Sequence, residues 1–262
     1  MQPRGVWRVP TRPACDSVGY NVAVTDFRLP SLTLVTNRTL YRPEAEGGGG
    51  PLSLIDAAIA GGVDTVQLRV PRSDPDDLGL YAVAMRLREM TAGKARFIMT
   101  GHVELAEKCH ADGLLLPERS YKPSDARQYL REPIRLVGMF VQTVLGASRA
   151  ERGGADYVQV GPVFGESSVG AERKESTVPD SGAESGETGR ILGLLRKIKD
   201  AVHIPVIAIG GIETADQIIQ CLQAGADGVA VTHAITQADD PMAAAIALRA
   251  AMDSAWNAER GR

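Results

Sequence analysis

Cysteine, histidine and aromatic residues are scarce in this chain: three Cys, four His and 5% Phe, Trp and Tyr in 262 residues. The cysteines (Cys15, Cys109 and Cys221) stand far apart. They offer neither a metal-ligand spacing nor a disulfide framework, so a reducing, cytoplasmic setting is expected. Positive charge is not in excess: 29 Lys and Arg stand against 32 Asp and Glu, a net charge of −3. A nucleic-acid partner needs a positive footprint and is not expected. No apolar run is long enough to span a bilayer, so no membrane partner is expected either. Arg4, Arg8 and Arg12 are followed by no apolar signal-peptide core. No glycine fingerprint follows the first apolar run, which argues against a doubly wound dinucleotide-binding sheet.

What the chain does have is alternation of strand-like and helix-like segments. Hydrophobic content of 44% and charged content of 23% are ordinary for a folded domain. Residues 1–30 are rich in Arg and Pro and lack periodicity, and are read as an N-terminal extension. From 31 to 262 the pattern repeats eight times. Strands are expected at Leu32–Val35, Val63–Val70, Arg96–Thr100, Gly113–Leu116, Arg135–Val141, Tyr157–Val160, Val206–Ile209 and Val229–Val231. Helices fall between them, one with a capping box at Thr214 and Gln217 and one with Asp240 as N-cap and Pro241 at its first position. Eight such units in about 230 residues predict an α/β fold, the (β/α)8 TIM barrel. Gly-Ala-Asp precedes a strand at Gly154–Asp156 and Gly225–Asp227, with His110-Ala111-Asp112 as a variant; this is structural punctuation. Residues Gly165 to Glu187 form a long Ser-, Gly- and Glu-rich loop after the sixth strand, on the face where barrel active sites form.

Two strand ends carry the functional signal. Pro205-Val-Ile-Ala-Ile-Gly-Gly211 ends in two glycines, and Gly225-Ala-Asp-Gly-Val-Ala-Val runs into Thr232-His233. Free N–H groups after the seventh and eighth strands make the usual phosphate cradle of a barrel. Gly210, Gly211, Thr232 and His233 are therefore candidate phosphate-binding residues. For the glycines, a tight strand–helix turn is the competing explanation. His233 and His102, both directly after strands, are the candidate acid–base residues. Against this stands the plainer role of a loop or helix-capping histidine. His110 and His203 precede strands, on the stability face. Gln67 and Arg69 on the second strand are candidate ligand-binding residues, and a polar layer or a salt bridge inside the barrel is the competing explanation. Arg173 and Lys174 read as a solvated loop.

The order Val66-Gln67-Leu68-Arg69, Ala111-Asp112-Gly113, Gly154-Ala155-Asp156-Tyr157-Val158, Gly161-Pro162-Val163-Phe164, Ile209-Gly210-Gly211-Ile212 and Gly225–Val231 resembles the thiamine phosphate synthase/TenI family over residues 32 to 250. The resemblance implies a barrel of thiamine biosynthesis. Its synthases couple a hydroxymethylpyrimidine diphosphate to a thiazole phosphate with magnesium, and the TenI branch acts on the thiazole phosphate tautomer or has lost activity. It implies Gln67 and Arg69 as ligand contacts, Arg72 as a substitute for a lysine replaced by Pro71, and the strand-seven and strand-eight ends as the thiazole-phosphate cradle. Arg is a permanent donor fork suited to a diphosphate. The departures concern the metal and the acid–base positions. Gly101 and Ser120 stand where the synthase has its magnesium-binding Asp residues, Leu115 replaces a His, Phe140 a Ser, and Gln142 the proton-shuttling His of the tautomerase branch. Glu118 is the remaining candidate ligand for Mg2+. The expected partners are a phosphorylated thiazole or pyrimidine, and a homo-oligomer is left open. Two other readings remain: a non-catalytic or regulatory TenI-like paralogue, and another phosphosugar-type barrel enzyme.

Overall fold

The computed structural model describes residues 6–8, 26–36, 52–69, 77–118, 120–130, 136–165 and 184–260. Two three-residue strands, β1 (Val6–Arg8) and β2 (Asp26–Arg28), pair antiparallel ahead of the main body. Three residues are too few to show a period of two, so the sequence gives no sign of them.

Eight parallel strands then close into a barrel: β3 (Ser31–Val35), β4 (Thr65–Leu68), β5 (Arg96–Thr100), β6 (Gly113–Leu116), β7 (Leu136–Val141), β8 (Tyr157–Val160), β9 (Val206–Ile209) and β10 (Gly228–Val231). The neighbours run β10-β3-β4-β5-β6-β7-β8-β9. Between them stand α1 (Ser53–Ala60), α2 (Asp77–Thr91), α3 (Val103–Lys108), α4 (Pro123–Tyr129), α5 (Val144–Arg152), α6 (Glu184–Ala201) and α7 (Ala215–Gln223). The short α8 (His233–Thr236) and the long α9 (Pro241–Arg260) close the chain. The fold is the TIM barrel expected from the alternation. The strands read as nearly unbroken apolar runs because helices cover one face and the packed lumen fills the other.

The caps form as the sequence predicts. The Thr214 hydroxyl accepts from Gln217 N and the Gln217 carboxamide accepts from Thr214 N, starting α7. Asp240 accepts from Ala243 N at 2.9 Å to start α9. Two elements, β4 and α6, differ from the expectation by more than one residue, while the expected Val70 and Arg135 lie outside the described residues. Strand β4 begins at Thr65, because Val63 and Asp64 belong to the turn before it. Helix α6 begins at Glu184, so 184–187 are helical. The apolar stripe of that helix starts only at Ile191, and a backbone can wind ahead of its buried face. The rest of the proposed loop, 166–183, lies outside the described residues, as do Arg173 and Lys174.

The Gly-Ala-Asp punctuation is a device repeated around the barrel floor. Asp64, Asp112, Asp156 and Asp227 each precede an even-numbered strand of the barrel (β4, β6, β8 and β10). Each carboxylate accepts the N–H of a residue on the strand before it: Leu32 at 3.1 Å, Phe97 at 2.8 Å, Val137 at 2.7 Å and Val206 at 2.9 Å. The N–H of each Asp returns to the carbonyl of that same residue. A cation completes each clamp: Arg249 on Asp64, Arg88 on Asp112, Arg127 on Asp156 and Lys199 on Asp227. In every case it comes from the helix after the preceding even-numbered strand, so the clamp has a period of two βα units. The turn before each Asp needs a left-handed residue. Gly62, Gly154 and Gly225 supply it at φ 107°, 85° and 95°, and His110 takes the same place at φ 51°.

Candidate functional site

The C-terminal strand ends gather most of the residues singled out in the sequence on one face. Strands β9 and β10 are neighbours, so Gly210-Gly211 and Thr232-His233 lie side by side at the mouth. Past the strand ends the β8–β9 pairing continues: Val163 N donates to Ile209 O at 3.0 Å and Phe164 N to Gly210 O at 2.9 Å. Gly211 sits at φ 67°, and a Cβ there would overlap the carbonyl oxygen of Phe164. That close approach accounts for the glycine by itself. It also pins the loop after β8 onto the loop after β9, which fixes where the Gly-Gly backbone points. On the adjoining strand end, Thr232 caps α8. Its carbonyl accepts from Ile235 N and Thr236 N, and its side chain makes no capping bond. Buried Ile235 anchors this turn to the core, and His233 stands half-buried at its start.

The ends of β5 and β6 stand opposite those of β9 and β10, and the end of β4 lies between, two strands from β10. Strand β4 lies four strands from β8 in either direction round the barrel. Even so, the carboxamides of Gln67 on β4 and Gln159 on β8 meet: Gln159 Nε2 donates to Gln67 Oε1 at 2.9 Å. Gln67 Nε2 donates to Thr100 Oγ1 at 3.0 Å and lies 3.5 Å from Gln159 Oε1. Both glutamines must therefore cross the lumen, and both are buried at 3% and 2% exposure. The polar-layer role of Gln67 is thus realised. Thr100, to which it donates, is partly exposed at the end of β5. Arg69 is two residues further toward the mouth on the same strand face. Its N–H donates to Thr36 Oγ1 at 3.1 Å, and Thr36 N donates to Gln67 O at 2.9 Å. Arg72 lies outside the described residues.

One layer below are Arg96 and Tyr157. Arg96 is 1% exposed and donates to Thr65 Oγ1 at 3.2 Å. Burial pulls its guanidinium below the ordinary value, while the charges of Asp64 and Asp112 act the other way. Burial also pushes the Tyr157 phenol well above its usual range, so it stays protonated. A Cβ on Gly138 would overlap the Tyr157 ring, so this layer closes because β7 carries no side chain there.

The remaining candidates are spread round the rim. His102, at the N-cap of α3, makes no capping bond. It follows β5, four strands from β9, so it faces the mouth from the Arg69 side and away from the glycines. Glu118 folds over the first turn of α5, where a Cβ on Gly146 would overlap its Oε1. The hydroxyl of Ser120 donates to Pro117 O at 2.6 Å. Gly101 stands at φ 76°. Gln142 donates to Gly161 O at 3.4 Å, which ties the ends of β7 and β8 together. Among the described residues, no three His, Cys, Asp or Glu side chains come together in a way that could hold a metal ion. At the two positions where the resemblance places magnesium-binding Asp, Gly101 and Ser120 supply no carboxylate. No helix among the described residues is long and apolar enough to cross a membrane. A cleft of about 290 Å³ between α6 and α7, with Leu192, Arg196 and Gln223 in its wall, lies outside the barrel and away from this mouth.

Gln159 is the partner of Gln67 that the sequence reading passed over. The signal was present: a lone amide in Tyr157-Val-Gln-Val160, at the alternate position that faces the lumen.

The sequence profile described as thiamine monophosphate synthase matches residues 32–235. A thiamine-phosphate synthase of Haloquadratum walsbyi is 37% identical over 213 residues, 81% of this chain and 88% of that protein. A thiamine-phosphate synthase of Chloroflexus aurantiacus is 34% identical over 229 residues, 87% of this chain and 93% of that protein. Among solved structures, a thiamine phosphate pyrophosphorylase from Pyrococcus furiosus superposes with a TM-score of 0.67 at 28% identity, covering 86% of this chain and 96% of the other. A 3-hexulose-6-phosphate synthase superposes with a TM-score of 0.59 at 18% identity, a likeness of fold alone.

Proposed function

This chain belongs to the thiamine monophosphate synthase family, and we propose that its barrel mouth joins a thiazole phosphate to a hydroxymethylpyrimidine diphosphate. The observation that carries this reading is the division of the mouth. An amide-rich strand end on β9 and β10 is separated by β3 from a cationic and carboxamide wall that begins on β4 and continues on β5. One wall suits a phosphate monoester and the other a diphosphate joined to a ring.

In this reading the backbone at Gly210, Gly211, Thr232 and His233 holds the thiazole phosphate, and the His233 imidazole adds a donor. Arg69, with Arg72 near it in sequence, takes the diphosphate. Gln67 takes the pyrimidine. The bond-forming step moves no proton. The thiazole nitrogen attacks with its lone pair, the carbon–oxygen bond to the diphosphate breaks, and the electron pair leaves with the diphosphate. The chemical demand is charge stabilisation at the leaving group. Arg69 meets it, and His102 on the same side donates to the departing oxygens. Magnesium would supply the same stabilisation, but Gly101 and Ser120 are poor donors for it and no step here runs through it.

Those two replacements favour a second reading, a phosphate-binding paralogue that no longer couples. Calorimetric titration tests what the two readings share. Thiazole phosphate is expected to bind one equivalent per chain, and to do so still in the presence of inorganic diphosphate. If thiazole phosphate does not bind, or if diphosphate displaces it, the divided mouth is wrong.

A further inference from the structure

The Gln67–Gln159 pair does more than fill the lumen. A carboxamide has two faces that differ only in which end donates and which accepts. In this pair the choice is coupled. Gln159 Nε2 donates to Gln67 Oε1, and Gln67 Nε2 faces Thr100 Oγ1 and Gln159 Oε1. Turning over either amide alone would set N–H against N–H, or oxygen against oxygen. Thr100 cannot make that choice, because a hydroxyl both donates and accepts. The orientations of Gln67 and Gln159 are therefore tied to one another, and the two amides can turn over only together.

The unspent capacity of the pair also follows. The hydrogens of Gln67 Nε2 are directed to Thr100 and Gln159. Gln67 keeps one lone pair, and Gln159 keeps one N–H and one lone pair. Two acceptors beside one donor do not suit a phosphate, whose oxygens would meet acceptors. They suit a neutral nitrogen heterocycle with an amino group beside a ring nitrogen.

We infer that Gln159 is a positioning residue that holds the Gln67 carboxamide in place for recognition of the aminopyrimidine half of the substrate pair. The inference rests on the proposed function. It adds a residue on the far side of the barrel that acts through Gln67.

Kinetics of the full-length protein with hydroxymethylpyrimidine diphosphate and thiazole phosphate test it. Gln159→Leu is expected to raise KM for the pyrimidine substrate by about tenfold, the worth of one hydrogen bond, and to leave KM for thiazole phosphate unchanged. Gln67→Leu is expected to do at least as much. The double variant Gln67→Leu/Gln159→Leu is expected to match Gln67→Leu alone, since a residue acting through another adds nothing once that other is gone. It also removes both polar partners together, which keeps the lumen packed and the protein folded. An equal rise in both KM values, additive losses in the double variant, or no change in Gln159→Leu would overturn the inference while leaving the proposed function standing. Wild-type protein that turns over neither substrate would overturn both.

Discussion

The carbonyl oxygen of Phe164 occupies the place where a Cβ on Gly211 would stand. The glycine after β9 is therefore demanded by the loop after β8 before any ligand is considered. Gly211→Ala meets this backbone and also pays for φ 67°. Gly93 has a similar φ of 70° but nothing within 4 Å of a Cβ, so Gly93→Ala carries the conformational cost alone, about 1–2 kcal/mol. Thermal unfolding should show a fall of a few degrees in Gly93→Ala and a clearly larger one in Gly211→Ala, with phosphate binding lost only in the latter. Equal shifts would mean that the Phe164 contact does not constrain the cradle.

The aspartate clamps belong to the floor of the barrel, away from the mouth. Asp112→Asn and Asp227→Asn each weaken one charged clamp, at an expected cost of roughly 1–3 kcal/mol. The two precede β6 and β10, which are four strands apart. Denaturant unfolding should show the two losses adding to within about 0.5 kcal/mol, with kcat/KM unchanged below the transition. A large coupling would show that the floor behaves as one network rather than as repeated units.

The two described cysteines make a prediction about alkaline pH. Burial raises the Cys109 thiol to about 11 and the Cys221 thiol to about 12. In the unfolded chain a thiol titrates near 8.5. A folded value above the unfolded one favours the folded state fully below about pH 8.5. That contribution is lost as pH rises toward 11 and 12, by up to about 1.4 kcal/mol per unit for each thiol. Urea midpoints measured from about pH 7 to pH 11 should fall less steeply in the Cys109→Ala/Cys221→Ala variant than in the parent. Parallel slopes would contradict the buried-thiol account.

Arg69 is expected to act on one substrate only. Arg69→Ala removes a charge-assisted donor on the β4 side and should weaken hydroxymethylpyrimidine diphosphate binding roughly ten- to a hundredfold. Thiazole phosphate, held at the ends of β9 and β10, should bind as before. Calorimetry with each substrate separately distinguishes this from a general disturbance, which would weaken both.

The barrel was legible in the sequence because its strands are buried on both faces and some of its helices carry local caps. Thr214 with Gln217 and Asp240 with Pro241 show how local that information is. The neighbouring strand ends were legible for the same reason: Gly210-Gly211 and Thr232-His233 each directly follow an apolar run. What could not be read was anything that joins distant positions. Gln67 and Gln159 are 92 residues apart and meet only once the barrel closes. The reason for Gly211 lies in Phe164, on another loop. Asp64 finds Arg249 across 185 residues, so the punctuation was visible as a motif and its clamping role was not.

The central claim is that this mouth makes a carbon–nitrogen bond between its two ligands, and thiamine phosphate formation by the purified full-length protein tests it most directly. The assay supplies thiazole phosphate and hydroxymethylpyrimidine diphosphate, with and without Mg2+. The account predicts thiamine phosphate and inorganic diphosphate in equal amounts, with the rate lowered in Arg69→Ala. No product under either condition, from protein that binds both substrates, would contradict it and leave a binding protein in its place.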